Sequence, residues 1–340
     1  MGGNGKVFLP EWAKNQSPLS STQGGAPVFI PEWLKEYAPQ QTGALLSSGD
    51  TRGGITSPPV ILKGGNCIIP NKGIFPLDLY LAGGKIAALG KGFNEEGCEV
   101  INTSGKYIIP GVVDPHTHIG IFAPFEEEIF SETRSALLNG VTTLGVYLGS
   151  QGSYLDILDR TLELIARKSC TDIFLHLPIF NELQLKEIPL YASRYGIKSF
   201  KAYMCGIPGM IPSLDEGFLL DLMQSVADLG EGAVLNIHAE NYHIVEWATK
   251  RWEQEHKEGI SLEQWKETHP GFSEAEAIQR AIMLSLQSGV RIYFVHVSAK
   301  ESLEIIRDQR IKGRRFFCET TSPYLSINTE TEMKIGRAHV

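Results

Sequence analysis

The chain has 340 residues, 42% hydrophobic and 21% charged, with a net charge of -8. That is an ordinary composition for a globular protein with a substantial core, and the acidic balance argues against nucleic-acid binding; the one basic cluster, Lys312 to Arg315, reads as a turn between helix and strand. No stretch approaches the roughly 18 apolar residues of a membrane span, and the first thirty residues lack the charged start and apolar core of a secretory signal, so a cytoplasmic protein is expected.

Residues 1–59 are rich in Gly, Ser, Pro and Gln without sustained periodicity, which predicts a disordered arm. A unit recurs within it, Val7-Phe-Leu-Pro-Glu-Trp-Ala-Lys14 and Val28-Phe-Ile-Pro-Glu-Trp-Leu-Lys35. Two matched apolar segments on a tether would give avidity to a docking partner, or would fold back on the protein's own surface; the sequence leaves both open. Residues 60–109 hold short β-like runs, Val60 to Leu62, Cys67 to Ile69, Leu77 to Leu81 and Lys85 to Leu89, broken by Gly, Pro and Asn. They predict a small antiparallel β-sandwich module.

From Ile108 the pattern changes to alternating strands and helices. The apolar run Tyr107 to Val113 is followed by later strands at Val141 to Leu148, Asp172 to Ile179, Ile197 to Met204, Ala233 to His238, Val290 to His296 and Arg314 to Glu319. Helices are predicted at Glu128 to Asn139, Tyr154 to Lys168, Leu214 to Gly230, Ser273 to Ser288 and Lys300 to Asp308. This is the signature of an α/β (β/α)8 TIM barrel over residues 110–334, with seven strands where a closed barrel needs eight. Ile335-Gly-Arg-Ala-His-Val340 reads as one frame of a widely used sequencing adapter, so residues 335–340, His339 included, are expected to be a non-native tail on a truncated chain. Five dispersed cysteines, Cys67, Cys98, Cys170, Cys205 and Cys318, form no C-x-x-C pair, which predicts buried free thiols, with packing as the role of Cys205 and Cys318.

The chemistry concentrates at strand ends. Gly111-Val-Val-Asp-Pro-His-Thr-His118 places two imidazoles at i and i+2, on one side of a strand, where both reach one metal ion. Lys201, His238 and His296 stand at or near the C-terminal ends of later strands, where the catalytic groups of a barrel converge. His176 lies mid-run without a spaced partner and is expected to be a core or pocket-wall residue. Four neutral histidines leave the charge of two divalent cations uncompensated. A Lys201 deprotonated by burial can add carbon dioxide, and the resulting carbamate is an anion able to bridge both.

Pro110-Gly-Val-Val-Asp-Pro-His-Thr-His118, Ser199-Phe-Lys-Ala-Tyr203, Ile237-His-Ala-Glu-Asn241 and Phe294-Val-His-Val-Ser-Ala-Lys-Glu-Ser302 together resemble the cyclic amidohydrolases: dihydropyrimidinases, hydantoinases, allantoinases and dihydroorotases. The resemblance covers residues 60–334. It implies that His116 and His118 bind one metal, that carboxylated Lys201 bridges, and that His238 and His296 bind the second, with zinc the default and iron, cobalt or manganese compatible with the same ligands. It further implies that a bridging hydroxide opens a cyclic amide to an N-carbamoyl amino acid, that the proton-shuttling aspartate follows an eighth strand beyond this sequence, and that the enzyme is a homo-oligomer, a dimer or tetramer. The 340-residue polypeptide is therefore expected to be inactive and poorly folded. Dihydroorotases carry an arginine two residues beyond H-x-H, where this chain has Gly120, which disfavours dihydroorotate. Glu126 to Gly140 and Asp172 to Pro178 look hydantoinase-like. The tyrosine that hydantoinases place five residues after the lysine is Gly206 here, and Cys205 to Met210 is closer to an allantoinase loop. Tyr203, two residues after Lys201, shares its face and is the candidate substrate contact. The alternative of another class is an inactive scaffold relative, like the collapsin response mediators; such relatives lose metal ligands, and all five are present here.

Overall fold

The computed structural model describes residues 58–121, 123–207, 209–256, 262–314 and 316–326. The N-terminal repeats and the adapter-like tail lie outside these residues. The chain divides at Pro110/Gly111 into two compact units.

In the first unit, strands β1 (Val60–Lys63), β2 (Asn66–Ile69), β3 (Gly73–Phe75), β4 (Asp78–Ala82), β5 (Lys85–Gly90), β6 (Glu99–Asn102) and β7 (Tyr107–Ile108) form two sheets, ordered β5-β4-β1-β6 and β3-β2-β7. The expectation of purely antiparallel pairing is corrected. The hairpin-linked pairs are antiparallel, but β6 runs parallel to β1 and β7 parallel to β2, because each returns after a longer excursion. A small core of Cys67, Leu79 and Leu89 holds the module together.

The second unit is an α/β layer built on a seven-stranded all-parallel sheet. Its elements in chain order are β8 (Val112–Thr117), α1 (Phe125–Leu138), β9 (Val141–Tyr147), α2 (Leu158–Lys168), β10 (Asp172–Pro178), α3 (Glu182–Tyr195), β11 (Ser199–Tyr203), α4 (Glu216–Ala227), β12 (Val234–His238), α5 (Tyr242–Glu255), α6 (Leu262–Thr268), α7 (Gly271–Ser288), β13 (Ile292–Phe294), α8 (Lys300–Ile311), β14 (Phe317–Cys318) and α9 (Ser322–Ser326). The strands pair in sequence order from β8 to β14. The run Tyr107 to Val113, read as one strand, is two: it breaks at Ile109 to Gly111, with β7 in the first unit and β8 in the second. Helices α3, α5, α6 and α9 were not foreseen. Pro189 inside α3 reads as a breaker in sequence, yet Asn181 caps the helix start by accepting from Gln184 N, and Gly196, at φ 69°, closes its end in the left-handed conformation that glycine adopts without a Cβ penalty.

Alternation along the strands separates core from site. Leu144 and Val146, Leu175 and Leu177, Phe200 and Ala202, and Leu235 and Ile237 face the main hydrophobic core. The intervening Tyr147, His176, Lys201, Tyr203, Asn236 and His238 therefore project from the opposite face of the sheet. Six inter-strand spacings of about 4.8 Å would put β8 and β14 roughly 29 Å apart in a flat sheet. Instead, His116 on β8 hydrogen-bonds Glu319, the residue after β14, at 2.5 Å. The sheet is therefore curled, with this polar face inside the curl.

Candidate metal centre

His116 lies within β8 where the register against β9 slips between Asp114 and Thr117, and His118 follows the strand end. Their ring centroids are 5.3 Å apart, so the H-x-H pair does share a side. His238 is the last residue of β12, with its ring 4.8 Å from that of His296, which is itself 5.5 Å from the ring of His116. His296 gets there by an irregularity. Strict alternation after Ile292 and Phe294 would turn it toward the core, but at φ 39° its backbone is left-handed, which costs a non-glycine residue strain and shifts the parity, so that Val297 takes the core position. Nothing in the sequence signals that kink.

Lys201 sits in mid-strand on β11, only 1% exposed, its Nζ 4.8 Å from the Tyr147 ring centroid and 5.1 Å from that of Tyr203. Among the described residues no carboxylate lies within ion-pair distance of it. Burial pushes its pKa down to about 7, so an appreciable neutral fraction exists near pH 7. Burial likewise lowers His116, His296 and His118, the last to about 4, with His116 and Lys201 adding like-charge repulsion at His118. Because His118 stays exposed to solvent, its shift counts for less in stability than that of a buried ring. All three are neutral imidazoles at pH 7, each with a lone pair to offer.

Whether this donor set fits a cation can be read from its present contacts. His238 Nδ1 lies 3.0 Å from His296 Nε2, and His238 Nε2 lies 3.5 Å from Glu240 Oε2. Ring nitrogens thus occupy one another, and among the described residues no three His, Cys, Asp or Glu side chains stand arranged around a common point as metal ligands. The chemistry nevertheless fits. The imidazoles and a deprotonable lysine meet in one place, and beside them the buried Tyr147 hydroxyl has no hydrogen-bond partner among the described residues. An anionic oxygen installed or bound at Lys201 would give that hydroxyl an acceptor.

His176 has both ring nitrogens engaged. Asn236 Nδ2 donates to Ser199 Oγ (2.9 Å), the Ser199 hydroxyl donates to His176 Nδ1 (2.6 Å), and His176 Nε2 donates to the Pro115 carbonyl (3.0 Å), with the ring stacked 4.4 Å from that of Tyr147. It is a pocket-wall residue whose relay pins the backbone just before His116. Gly145 permits this, since a Cβ there would lie 2.5 Å from the Pro115 carbonyl oxygen and 2.7 Å from His176 Nε2. Gly145→Ala is expected to destabilise the protein by about 1–3 kcal/mol, the usual range for overpacking; urea unfolding measures it, and an unchanged midpoint would refute the tight contact.

Tyr203 ends β11 with its ring 6.0 Å from Phe180 and 5.7 Å from His238, forming a flat wall beside Lys201. At Gly206 a Cβ would lie 2.1 Å from the Ile211 carbonyl oxygen, so the hairpin around the Ile207–Ile211 bridge excludes a tyrosine there. All five cysteines are free; Cys67 and Cys205 are buried, whereas Cys98, Cys170 and Cys318 are partly open, so burial holds for two of the five. Burial lifts the Cys205 thiol to about 12, which leaves it inert.

Sequence reasoning passed over Glu319. Its Oε1 accepts from His116 Nδ1 at 2.5 Å and its Oε2 from the Tyr293 hydroxyl at 2.8 Å. Burial alone would raise its pKa, but these bonds and the nearby His116 hold it below the usual carboxylate range. The strand-end rule that picks out Lys201 and His238 picks it out too, once applied to the run Arg314 to Glu319.

No family model matches the chain. It is 32% identical over 278 residues to the D-hydantoinase of Geobacillus stearothermophilus, covering 79% of this chain and 57% of that one. It is 29% identical over 287 residues to the allantoinase of Escherichia coli K12, covering 82% and 61%. Among solved structures, the L-hydantoinase (dihydropyrimidinase) from Arthrobacter aurescens superposes with a TM-score of 0.73 at 28% identity, over 81% of this chain and 60% of that one. The chain thus spans about three fifths of the length of the relatives it matches. Among the described residues no helix is long and apolar enough to cross a membrane.

Proposed function

The chain belongs to the hydantoinase/dihydropyrimidinase family, and from that premise we propose that the complete enzyme hydrolyses a ring amide, of a hydantoin or dihydropyrimidine, to an N-carbamoyl amino acid. The observation that carries this reading is the convergence of His116, His118, His238 and His296 on a buried Lys201 inside a curled parallel sheet. We further propose that the sheet is part of a (β/α)8 barrel.

His116 and His118 would hold one divalent cation and His238 and His296 a second, with Lys201 as a carbamate between them; zinc is the first choice for such ligands. When bound, the cations supply an activated water and polarise the ring carbonyl. The chain's own residues do the rest. Neutral imidazoles need lose no proton before they donate. The Lys201 amine, neutral in part near pH 7, would attack carbon dioxide through its lone pair, forming an N–C bond as one C=O π pair moves onto oxygen, and an N–H bond would then break to release one proton to water. The Tyr203 and Phe180 rings give a planar substrate a flat apolar wall. The tight Gly206 hairpin removes a side chain from the pocket mouth, which supports allantoin as the second substrate to test.

A hydrolysis panel of dihydrouracil, substituted hydantoins, allantoin and dihydroorotate on a full-length preparation, with metal content measured alongside, tests the proposal. Turnover of hydantoins or dihydrouracil with about two ions per subunit is expected. Preferred turnover of dihydroorotate would overturn the substrate order, and a protein holding no metal and turning over nothing would move it to the scaffold class.

A further inference from the structure

Glu319 reaches across the curl of the sheet to His116, and among the described residues it is the one carboxylate hydrogen-bonded to an imidazole ring of the H-x-H pair, Asp114 accepting only from the His116 backbone N–H. Its side chain is 11% exposed and that of His116 14%, so the bond is largely shielded from competing water. Each carboxylate oxygen has its own donor, His116 Nδ1–H on Oε1 and the Tyr293 hydroxyl on Oε2. Tyr293 comes from β13, next to β14, and its ring stacks 6.3 Å from Phe317, so the tyrosine that holds Glu319 is itself held. The geometry makes three assignments. A carboxylate accepts and does not donate, so Nδ1 carries the proton and Nε2 carries the lone pair. The ring is oriented by a bond to the opposite edge of the sheet. The negative charge beside the imidazole also makes its free nitrogen a better donor.

We propose that Glu319 is a positioning residue: held by Tyr293, it fixes the tautomer and orientation of His116 so that Nε2 is presented to a divalent cation. This rests on the metal-site reading above. It adds the residue just after the last described strand to a site whose first ligand lies on the first strand of the same sheet. It also accounts for a partly buried Glu319 carboxylate that, among the described residues, pairs with no lysine or arginine. Nothing in the proposed ring opening requires Glu319 to touch the substrate.

The test is metal binding by full-length protein stripped with chelator, titrated with Zn2+ against a competing chelator and, separately, with Co2+ while its visible ligand-field absorption is recorded. Glu319→Ala is expected to weaken the cation held by His116 by about 10- to 100-fold and to alter the Co2+ spectrum of that site. Glu319→Gln keeps an acceptor oxygen but not the charge, and is expected to lose less affinity while retaining most of the wild-type spectrum. Its isosteric shape keeps the test alive if Glu319→Ala does not fold. A folded alanine variant with wild-type affinity and spectrum overturns the proposal. So does a glutamine variant with the same loss as alanine and a disordered spectrum, because orientation would then not survive through the acceptor. Wild-type protein that binds neither Zn2+ nor Co2+ refutes instead the metal-site reading on which the proposal stands.

Discussion

Lys201→Met is expected to make the full-length enzyme more stable and to abolish it as a catalyst. The side chain is essentially fully buried, flanked by the rings of Tyr147 and Tyr203, without a carboxylate at ion-pair distance among the described residues. An amine so placed has lost its water and gained only the faces of two tyrosines, which is why burial drags its pKa from 10.5 to about 7. Methionine fills the same volume with nothing to solvate, so a gain of roughly 1–4 kcal/mol in metal-free unfolding free energy is expected, the range seen when buried charged groups are replaced by apolar ones. On the proposed reading the same change also removes the amine that forms the bridging carbamate. Ring opening should fall by at least about 10³-fold, equivalent to roughly 4 kcal/mol of lost transition-state stabilisation, and metal content should fall with it. Lys201→Arg should fail equally, since a guanidinium does not deprotonate to add carbon dioxide. Unfolding curves and turnover on the same samples decide the matter: a methionine variant within tenfold of wild-type activity refutes the carbamate, and one less stable than wild type refutes the account of the buried amine.

The second large effect is acid lability of the metal-free chain between pH 6.5 and pH 4. His176 is fully enclosed, with Nδ1 accepting from Ser199 and Nε2 donating to the Pro115 carbonyl, and burial lowers its pKa to about 4. Its folded-state pKa lies below its unfolded value, so in that window the unfolded chain binds a proton that the folded chain does not. The stability contributed by the neutral His176 ring is therefore complete above about pH 6.5 and declines as pH falls toward 4. Two and a half units correspond to roughly 3 kcal/mol. Carboxylates with lowered pKa, Glu240 and Glu319, withdraw their support only below about 4.5, so a loss already evident at pH 5.5 belongs to the imidazoles. Urea unfolding at intervals from pH 7.5 to 4.5 measures it. His176→Gln should start from lower stability and show a shallower slope, and a wild-type profile flat from pH 7 to 5 would contradict the enclosed neutral ring.

The parallel sheet was legible because its strands are continuous apolar runs, the central β11 and β12 buried on both faces, and because Lys201 and His238 interrupt the face opposite the core. The features that escaped are those made by backbone geometry or by distance in sequence. Tyr107 to Val113 has one hydrophobic character throughout, and only the chain's exit at Pro110 and Gly111 divides it between two sheets. Helix α3 carries a proline, whose local penalty is outweighed by Leu185, Ile188 and Tyr191 buried along one face. The parallel placement of β6 and β7 depends on pairing with strands some forty residues earlier, for which periodicity has no signal. His296 was found by its position at a strand end, yet alternation predicts the wrong face for it, and the left-handed turn that corrects this is invisible in residue types. Glu319 escaped because a lone carboxylate at a strand end is less distinctive than clustered imidazoles, although the same positional rule applies to it.

The bond between His116 and Glu319 spans 203 residues of chain. At about 5–20 residues per second of synthesis, some 10–40 s separate the emergence of the H-x-H segment from that of the carboxylate that orients it. Throughout that interval the two imidazoles form an open pair free to sample either tautomer, and any cation taken up then is held by ligands whose geometry has not yet been set. On the proposed metal-site reading, metal selection would be a late event in the life of the nascent chain, decided when the two edges of the sheet first meet.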